Sequence, residues 1–138
     1  MANHRCGAKV GGTFRAKAAL LSSKATIENF LKTLVEKLEM FDLTTVMYDV
    51  AAELKERNQP IEADEGGLTA VVVLSTSHIA LHTWPEESGA TFDIHSCRDF
   101  SVSLVTEIIK EIFETDDVET YDLSYSLQSH RQASFKIA

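Results

Sequence analysis

The sequence contains only two cysteines, Cys6 and Cys97, and they lie far apart along the chain. Small secreted domains held by disulfides carry many more, so we expect both thiols to be reduced. No apolar run approaches the roughly 20 residues that a membrane helix needs. The N-terminal segment has charge but lacks the apolar stretch of a secretory signal. These absences predict a cytoplasmic protein.

Basic residues are also scarce, because 13 Lys and Arg stand against 21 Asp and Glu and give a formal net charge of −8. Nucleic acids and anionic membranes carry charge of the same sign, so neither is expected as the main partner. A cationic small molecule is more compatible with this balance. The length of 138 residues predicts a single domain, residues 1–138, with one core.

Two segments have the apolar spacing of an amphipathic helix. The first starts at Thr26, capped by Ser23 or by Thr26 itself. Its apolar face comprises Ile27, Phe30, Leu31, Leu34, Val35, Leu38 and Phe41. The second follows Asp99, the predicted N-cap, and carries Val102, Val105, Ile108, Ile109, Ile112 and Phe113.

Alternating or continuous apolar segments predict the strands. They are 9–21, 43–54, 68–74, 77–84, 90–97 and 121–127, although 51–56 fits a helix equally well. A loop is expected within 53–67 and a frayed tail at 129–138. Several strands with two long amphipathic helices predict an α+β fold. We expect a two-layer sandwich in which a mainly antiparallel β-sheet is covered on one face by the two helices.

Reactive side chains are concentrated in residues 71–97, VVVLSTSHIALHTWPEESGATFDIHSC. Hydroxyl, imidazole, carboxylate and thiol groups lie there among strand-forming residues, with almost no Lys or Arg. Residues two apart on a strand share a face, which places His78 with His82 and His95 with Cys97. If the hairpin closes around residues 87–89, position 82 pairs with 94 or 95, and His82, His95 and Cys97 converge.

Three interpretations of these residues remain open on chemistry alone. In the first, the hairpin is structural and its polar atoms satisfy one another. In the second, His78, His82, His95 and Cys97 bind a metal such as zinc, although no CxxC pair accompanies them. In the third, a hydroxyl, an imidazole and a thiol take part in catalysis.

The segment 77–86, SHIALHTWPE, resembles the prokaryotic S-adenosylmethionine decarboxylases, which are pyruvoyl-dependent enzymes of polyamine synthesis that cut themselves at a serine. The resemblance continues with Asp93 and with Cys97, which follows Ser77 by 20 positions. It is confined to this part of the chain, since the flanking order of strands and helices agrees only loosely. The HTWPE block joined to a correctly spaced serine and cysteine is nevertheless specific.

The resemblance implies self-cleavage between Thr76 and Ser77, into a β chain of residues 1–76 and an α chain of residues 77–138. Ser77 would attack the carbonyl of Thr76 and then become a covalent pyruvoyl group, the cofactor. Its ketone would form a Schiff base with the amine of S-adenosylmethionine and draw electrons from the breaking C–CO₂ bond. The product would serve spermidine biosynthesis.

The resemblance also implies roles for four further residues, and no metal ion. His82 would be the acid/base that assists self-cleavage, and Cys97 would return a proton to the α-carbon. Thr69 occupies the place of a serine that assists processing and catalysis. Glu86 would hold the ribose hydroxyls of the substrate. The cleaved αβ units of the family pair, so a homodimer is expected.

Two departures from the family pattern motivate alternatives. Thr76 stands where the family has Glu, which favours a homologue that stays uncleaved and acts as a non-catalytic partner subunit. The segment 53–68 has no aromatic residue to stack on adenine. Either Phe14 or Tyr48 takes that role, or the substrate is a basic amino acid such as ornithine or arginine.

Overall fold

The computed structural model describes residues 6–62 and 66–126, so the predicted tail at 129–138 and the predicted strand end at Leu127 lie outside the described residues. The helices are α1 (Ala18–Leu21), α2 (Lys24–Lys37), α3 (Val50–Glu56) and α4 (Val102–Phe113). The strands are β1 (Cys6–Arg15), β2 (Asp42–Asp49), β3 (Leu68–Leu74), β4 (His78–Trp84), β5 (Gly89–Ser96), β6 (Val118–Asp122) and β7 (Tyr125–Ser126). Within these ranges, no helix combines the length and apolar character needed to cross a membrane.

The strands form one antiparallel sheet in the order β2-β3-β4-β5-β1-β6, with β7 paired to β1. Alternate residues of each central strand are buried, and they share one core with α2 and α4. The remaining residues lie on the opposite surface, here called the open face, which carries Tyr48, Thr69, Val71, His78, His82, Trp84, Asp93 and His95. The predicted two-layer α+β sandwich is therefore confirmed.

Aromatic rings occupy the centre of the core. Phe113 packs against Phe14 with ring centroids 4.7 Å apart and against Phe30 at 5.1 Å. Full burial of such a side chain contributes about 1.5–3 kcal/mol. Phe14 is only 2% exposed and faces this core. The prediction that Phe14 stacks on adenine is therefore wrong, because the core already encloses its ring.

The N-terminal strand is shorter than predicted. β1 ends at Arg15, and the short helix α1 follows instead of more strand. Its sequence, AALL, consists of good helix formers, and Leu21 is fully buried at its end. The ambiguous segment 43–54 divides into β2 and α3, with the Asp49 side chain capping α3 by accepting a hydrogen bond from the Ala52 N–H.

Both long helices begin at a serine cap. Ser23, one of the two predicted caps, accepts a hydrogen bond from the Thr26 N–H. Ser101 caps α4 by accepting from the Leu104 N–H, so the prediction of Asp99 as this cap is wrong. The prediction that Phe41 lies on the apolar face of this helix is also wrong, because α2 ends at Lys37 and Phe41 is 69% exposed.

Candidate active site

The predicted scission site lies in a two-residue turn at the end of the sheet. Because Val73 pairs with His78, Leu74 lies opposite Ser77, and Ser75 and Thr76 connect the two strands. The Leu74 N–H donates to the Ser77 carbonyl over 3.0 Å. Thr76 is exposed and Ser77 is half-buried. The peptide bond between them is therefore accessible at the surface of the protein.

The end of β5 meets this turn. Since β4 and β5 are antiparallel and His78 pairs with His95, the start of one strand adjoins the end of the other. The Cys97 amide N–H donates to Ser77 Oγ over 2.9 Å. Thr76, Ser77 and Cys97 thus form one group, called here the scission cluster.

The thiol of Cys97 is free and half-buried. A hydrogen bond from the Thr76 side chain lowers the pKa of Cys97 most, and the Ser77 hydroxyl, the Cys97 backbone N–H and the charge of Arg98 lower it further. Burial acts in the opposite direction. Thr76, which departs from the family pattern, is therefore the main group that makes this thiol more acidic.

His82 and Thr69 form a second group. They pair across β3 and β4, and Thr69 Oγ1 lies 3.1 Å from His82 Nδ1. Tyr48 pairs with Thr69 on the neighbouring strand and is 44% exposed on the open face. We call these three residues the histidine cluster. Five strand positions of about 3.3 Å each separate His82 from Ser77, so the two clusters lie about 16 Å apart.

The predicted convergence of His82, His95 and Cys97 is wrong. His82 pairs with Thr91, and His95 pairs with His78. The hairpin closes three or four residues out of the expected register because the connection is a 3₁₀ turn at Pro85–Glu87 followed by Ser88 in the left-handed conformation, with φ of 53°. Within residues 6–62 and 66–126, no three His, Cys, Asp or Glu side chains are grouped to hold a metal ion.

A pair that the sequence did not predict lies beside the scission cluster. His78 Nε2 is 2.8 Å from Asp93 Oδ2, and the His78 ring meets the His95 ring edge-on with centroids 5.4 Å apart. Asp93 stands opposite Ala80, so this contact runs diagonally between β4 and β5. A prediction made with the observed register of β4 and β5 would have found this pair, because diagonal neighbours on one face of a sheet are within reach of long side chains.

Glu86 lies in the 3₁₀ turn beyond the His82 end of β4, and its side chain is exposed. Its carboxylate packs directly over Gly66, in space that a side chain at position 66 would occupy. Glu86 is therefore far from Ser77 of the same chain and nearer the histidine cluster.

A cavity of about 570 Å³ opens near the same end of the sheet. Its lining includes Trp84, Glu87 and Thr91 but none of Ser77, His82 or Cys97. The candidate site is therefore defined by the side chains of the scission cluster and the histidine cluster, and not by this cavity.

Comparison with known proteins identifies the family. The family model described as S-adenosylmethionine decarboxylase matches residues 10–124. An arginine decarboxylase proenzyme from Aeropyrum pernix is 51% identical over 39 residues, 28% of this chain and 30% of that protein. An S-adenosylmethionine decarboxylase proenzyme from Pyrobaculum neutrophilum is 54% identical over 35 residues, 25% of this chain and 28% of that protein. These alignments span less than a third of either relative.

A solved structure shares the fold. The adenosylmethionine decarboxylase from Aquifex aeolicus superposes with a TM-score of 0.66 at 21% identity, covering 86% of this chain and 88% of that one. The family model covers most of the sequence, including the scission and histidine clusters. The chain therefore belongs to the S-adenosylmethionine decarboxylase family.

Proposed function

We propose that this chain is a self-processing, pyruvoyl-dependent decarboxylase that converts S-adenosylmethionine to the aminopropyl donor of spermidine biosynthesis. The position of Ser77 supports this most directly. Its hydroxyl is held at 2.9 Å by the Cys97 amide, at an exposed turn and beside a half-buried thiol. The residues present therefore fit a pyruvoyl group formed at position 77.

Self-cleavage follows from the placement of the Ser77 hydroxyl. Ser77 Oγ attacks the carbonyl carbon of Thr76, the C–N bond breaks, and an ester with a free Ser77 amine results. Loss of the Ser77 α-proton then breaks the Cβ–O bond, and Thr76 leaves as a carboxylate. The dehydroalanine at position 77 takes up water and releases ammonia, which leaves the pyruvoyl group on the α chain.

A base must remove the Ser77 hydroxyl proton. Ser77 Oγ accepts a hydrogen bond from the Cys97 N–H, which orients the hydroxyl. His82, in contact with Thr69 over 3.1 Å, has the chemistry of that base. The separation of about 16 Å along β4 excludes direct transfer between Ser77 and His82 of one chain.

A second copy of the chain would supply the base that is too far away in the first. A two-fold interface places one surface against itself, so two open faces in contact bring the histidine cluster of each chain towards the scission cluster of the other. Val46, Tyr48 and Val73 lie on the open face, and each is at least 40% exposed. We therefore propose a homodimer of cleaved αβ units in which each active site draws on both chains.

Cys97 is the proposed proton donor of the decarboxylation. When formed, the pyruvoyl ketone supplies an electron sink for the bond that releases CO₂. The Cys97 thiol adjoins residue 77, where it returns a proton to the substrate α-carbon. It does so only in the protonated form, because a thiolate has no proton to give.

We assign substrate recognition to the histidine cluster and to Glu86, which lies nearer to it. Tyr48 offers an exposed ring beside Thr69 for stacking on adenine, and Glu86 offers a carboxylate to the ribose hydroxyls. Arginine is the second candidate substrate, because a similar protein from Aeropyrum pernix is an arginine decarboxylase proenzyme.

Release of CO₂ from carboxyl-labelled S-adenosylmethionine, arginine and ornithine separates these candidates. Turnover of S-adenosylmethionine supports the proposal, and it should fall on substitution Tyr48→Ala through a higher KM. Turnover confined to a free amino acid would contradict the proposed substrate while leaving the self-processing chemistry in place.

A further inference from the structure

We infer that Asp93 is a positioning residue that, by binding His78, fixes the end of β4 on which residue 77 lies once the chain has been cut. This inference rests on the proposed function, since it concerns the cleaved protein. It assigns a task to a side chain that touches neither Ser77 nor Cys97 in the structure.

The contact between Asp93 and His78 is specific in geometry. Asp93 Oδ2 lies 2.8 Å from His78 Nε2, a distance at which the imidazole N–H donates to the carboxylate. His95 stands directly opposite His78 and meets its ring edge-on. Asp93 and His95 thus approach the His78 ring from the same strand and leave it little rotational freedom.

Scission changes what holds residue 77. Before the cut, Ser75 and Thr76 tie the start of β4 to the end of β3. Afterwards residue 77 is a chain terminus, and termini fray unless other contacts hold them. The bond between Cys97 N–H and Ser77 Oγ is also lost, because that oxygen leaves with the Thr76 carboxylate.

The sheet pairing of His78 with Val73 and His95 survives this change, and so do two local hydrogen bonds of the described structure. One is the hydrogen bond from the Leu74 N–H to the residue 77 carbonyl, which remains after conversion. The other is the bond between His78 and Asp93, one residue from the pyruvoyl group. The latter is a side-chain anchor from β5, the strand that leads to Cys97, so it sets the distance between the ketone and the thiol.

The anchor acts locally and adds little to global stability. The side chains of His78 and Asp93 are 40% and 38% exposed, and solvent screens a pair of that kind. Burial first, and then the charges of His78 and Lys9, lower the pKa of His95, and the charge of Asp93 opposes them. Loss of Asp93 should consequently alter turnover rather than folding.

The test compares the parent with Asp93→Ala, Asp93→Asn, His78→Phe and the double variant Asp93→Ala/His78→Phe, and uses Asp42→Ala as an exposed control on β2. The extent of scission is measured by intact mass, and steady-state kinetics are measured on the fully cut proteins. We expect cutting at the parental rate, because the turn still holds residue 77 at that stage. We expect kcat to fall about tenfold with KM nearly unchanged, as misplaced reacting groups produce.

Two comparisons separate positioning from a structural role. Asn retains an oxygen that accepts from His78, so Asp93→Asn should recover most of kcat. His78→Phe should lower kcat as much as Asp93→Ala does. The double variant should lower it no further, because all three variants remove the same contact between His78 and Asp93. A cut Asp93→Ala protein with the parental kcat would overturn this inference and leave the proposed function intact. So would a double variant whose loss of kcat equals the product of the two single losses. A parent chain that never cuts overturns it together with the proposed function.

Discussion

The Cys97 amide N–H and the Ser77 hydroxyl oxygen lie 2.9 Å apart, although 20 positions separate them along the chain. The hairpin of β4 and β5 produces this contact by returning the end of one strand to the start of the other. The same geometry places the Cys97 thiol beside the residue that would carry the ketone. One contact thus serves both proposed reactions, since it orients the attacking hydroxyl and fixes the proton donor.

Replacing the attacking hydroxyl should prevent scission altogether. Ser77→Ala has no nucleophile at position 77, so we expect a single uncut chain without decarboxylase activity. Ser75→Ala is a matched control one residue before Thr76, because the Ser75 backbone N–H, rather than its side chain, makes the recorded bond to Phe41. It should cut and turn over normally. Scission in Ser77→Ala would place the reaction at another residue.

The reactivity of Cys97 in the uncut chain should depend on Thr76. The Thr76 hydroxyl is the main cause of the lowered pKa of Cys97. In uncut Ser77→Ala protein, alkylation of Cys97 by iodoacetamide should therefore begin at a lower pH than for an ordinary cysteine. Adding Thr76→Val keeps the shape of the side chain but removes the hydroxyl, so the pKa of Cys97 should rise and the alkylation profile should move to higher pH.

Thr76→Ser, which retains the hydroxyl, should leave the alkylation profile in place. All of these variants are compared in the Ser77→Ala background, so that the chain stays uncut throughout. A profile that stays fixed, or moves to lower pH, in Thr76→Val would show that Thr76 does not control the thiol.

Shared active sites should allow two defective chains to complement each other. Cys97→Ala and His82→Ala are each expected to be inactive alone. In a mixed dimer, one site combines an intact scission cluster with an intact histidine cluster of the other chain. Random pairing on co-expression should then restore about a quarter of parental activity, since half of the dimers are mixed and each has one intact site.

Co-expression of Cys97→Ala with Ser77→Ala is the control, because both changes lie in the scission cluster and no intact site forms. Activity there, or none in the Cys97 and His82 mixture, would be incompatible with sites built from two chains.

Stability should depend on the buried hydroxyl of Thr83. Thr83 Oγ1 accepts from the Leu68 N–H over 2.9 Å and donates to the Leu21 carbonyl over 3.0 Å, and the residue is 3% exposed. Thr83→Val leaves both backbone groups without this partner, which should lower the free energy of unfolding by about 2–4 kcal/mol. Thr45→Val, exposed on β2, should change it by less than about 0.5 kcal/mol in the same denaturant titration.

The periodic elements were predictable because local pattern and tertiary packing agree. β3 matches its predicted bounds, and α2 and α4 bury the apolar faces that their spacing predicts. One error occurs where the start of a helix depends on a single polar contact. Asp99 and Ser101 are equally good caps by sequence, and only the three-dimensional course of the chain decides for Ser101.

The site was predictable from its motif but not from its geometry. The spacing of Ser77 and Cys97 carried the family resemblance, and in the structure the Cys97 N–H contacts Ser77 Oγ. The turn at Pro85–Glu87 set the register three or four residues away from the expected one, which separated His82 from His95 and paired His78 with Asp93 instead. Turn geometry of this kind depends on Ser88 adopting a positive φ, a conformation uncommon for serine that nothing in the sequence pattern signals.

Intact mass under denaturing conditions, on freshly purified protein, shows whether the chain cuts itself. We expect two fragments, one ending at Thr76 and one beginning at position 77 with a terminus blocked to Edman degradation but reactive towards a hydrazine. A single full-length chain that persists on prolonged incubation would contradict this expectation and favour an uncleaved partner subunit.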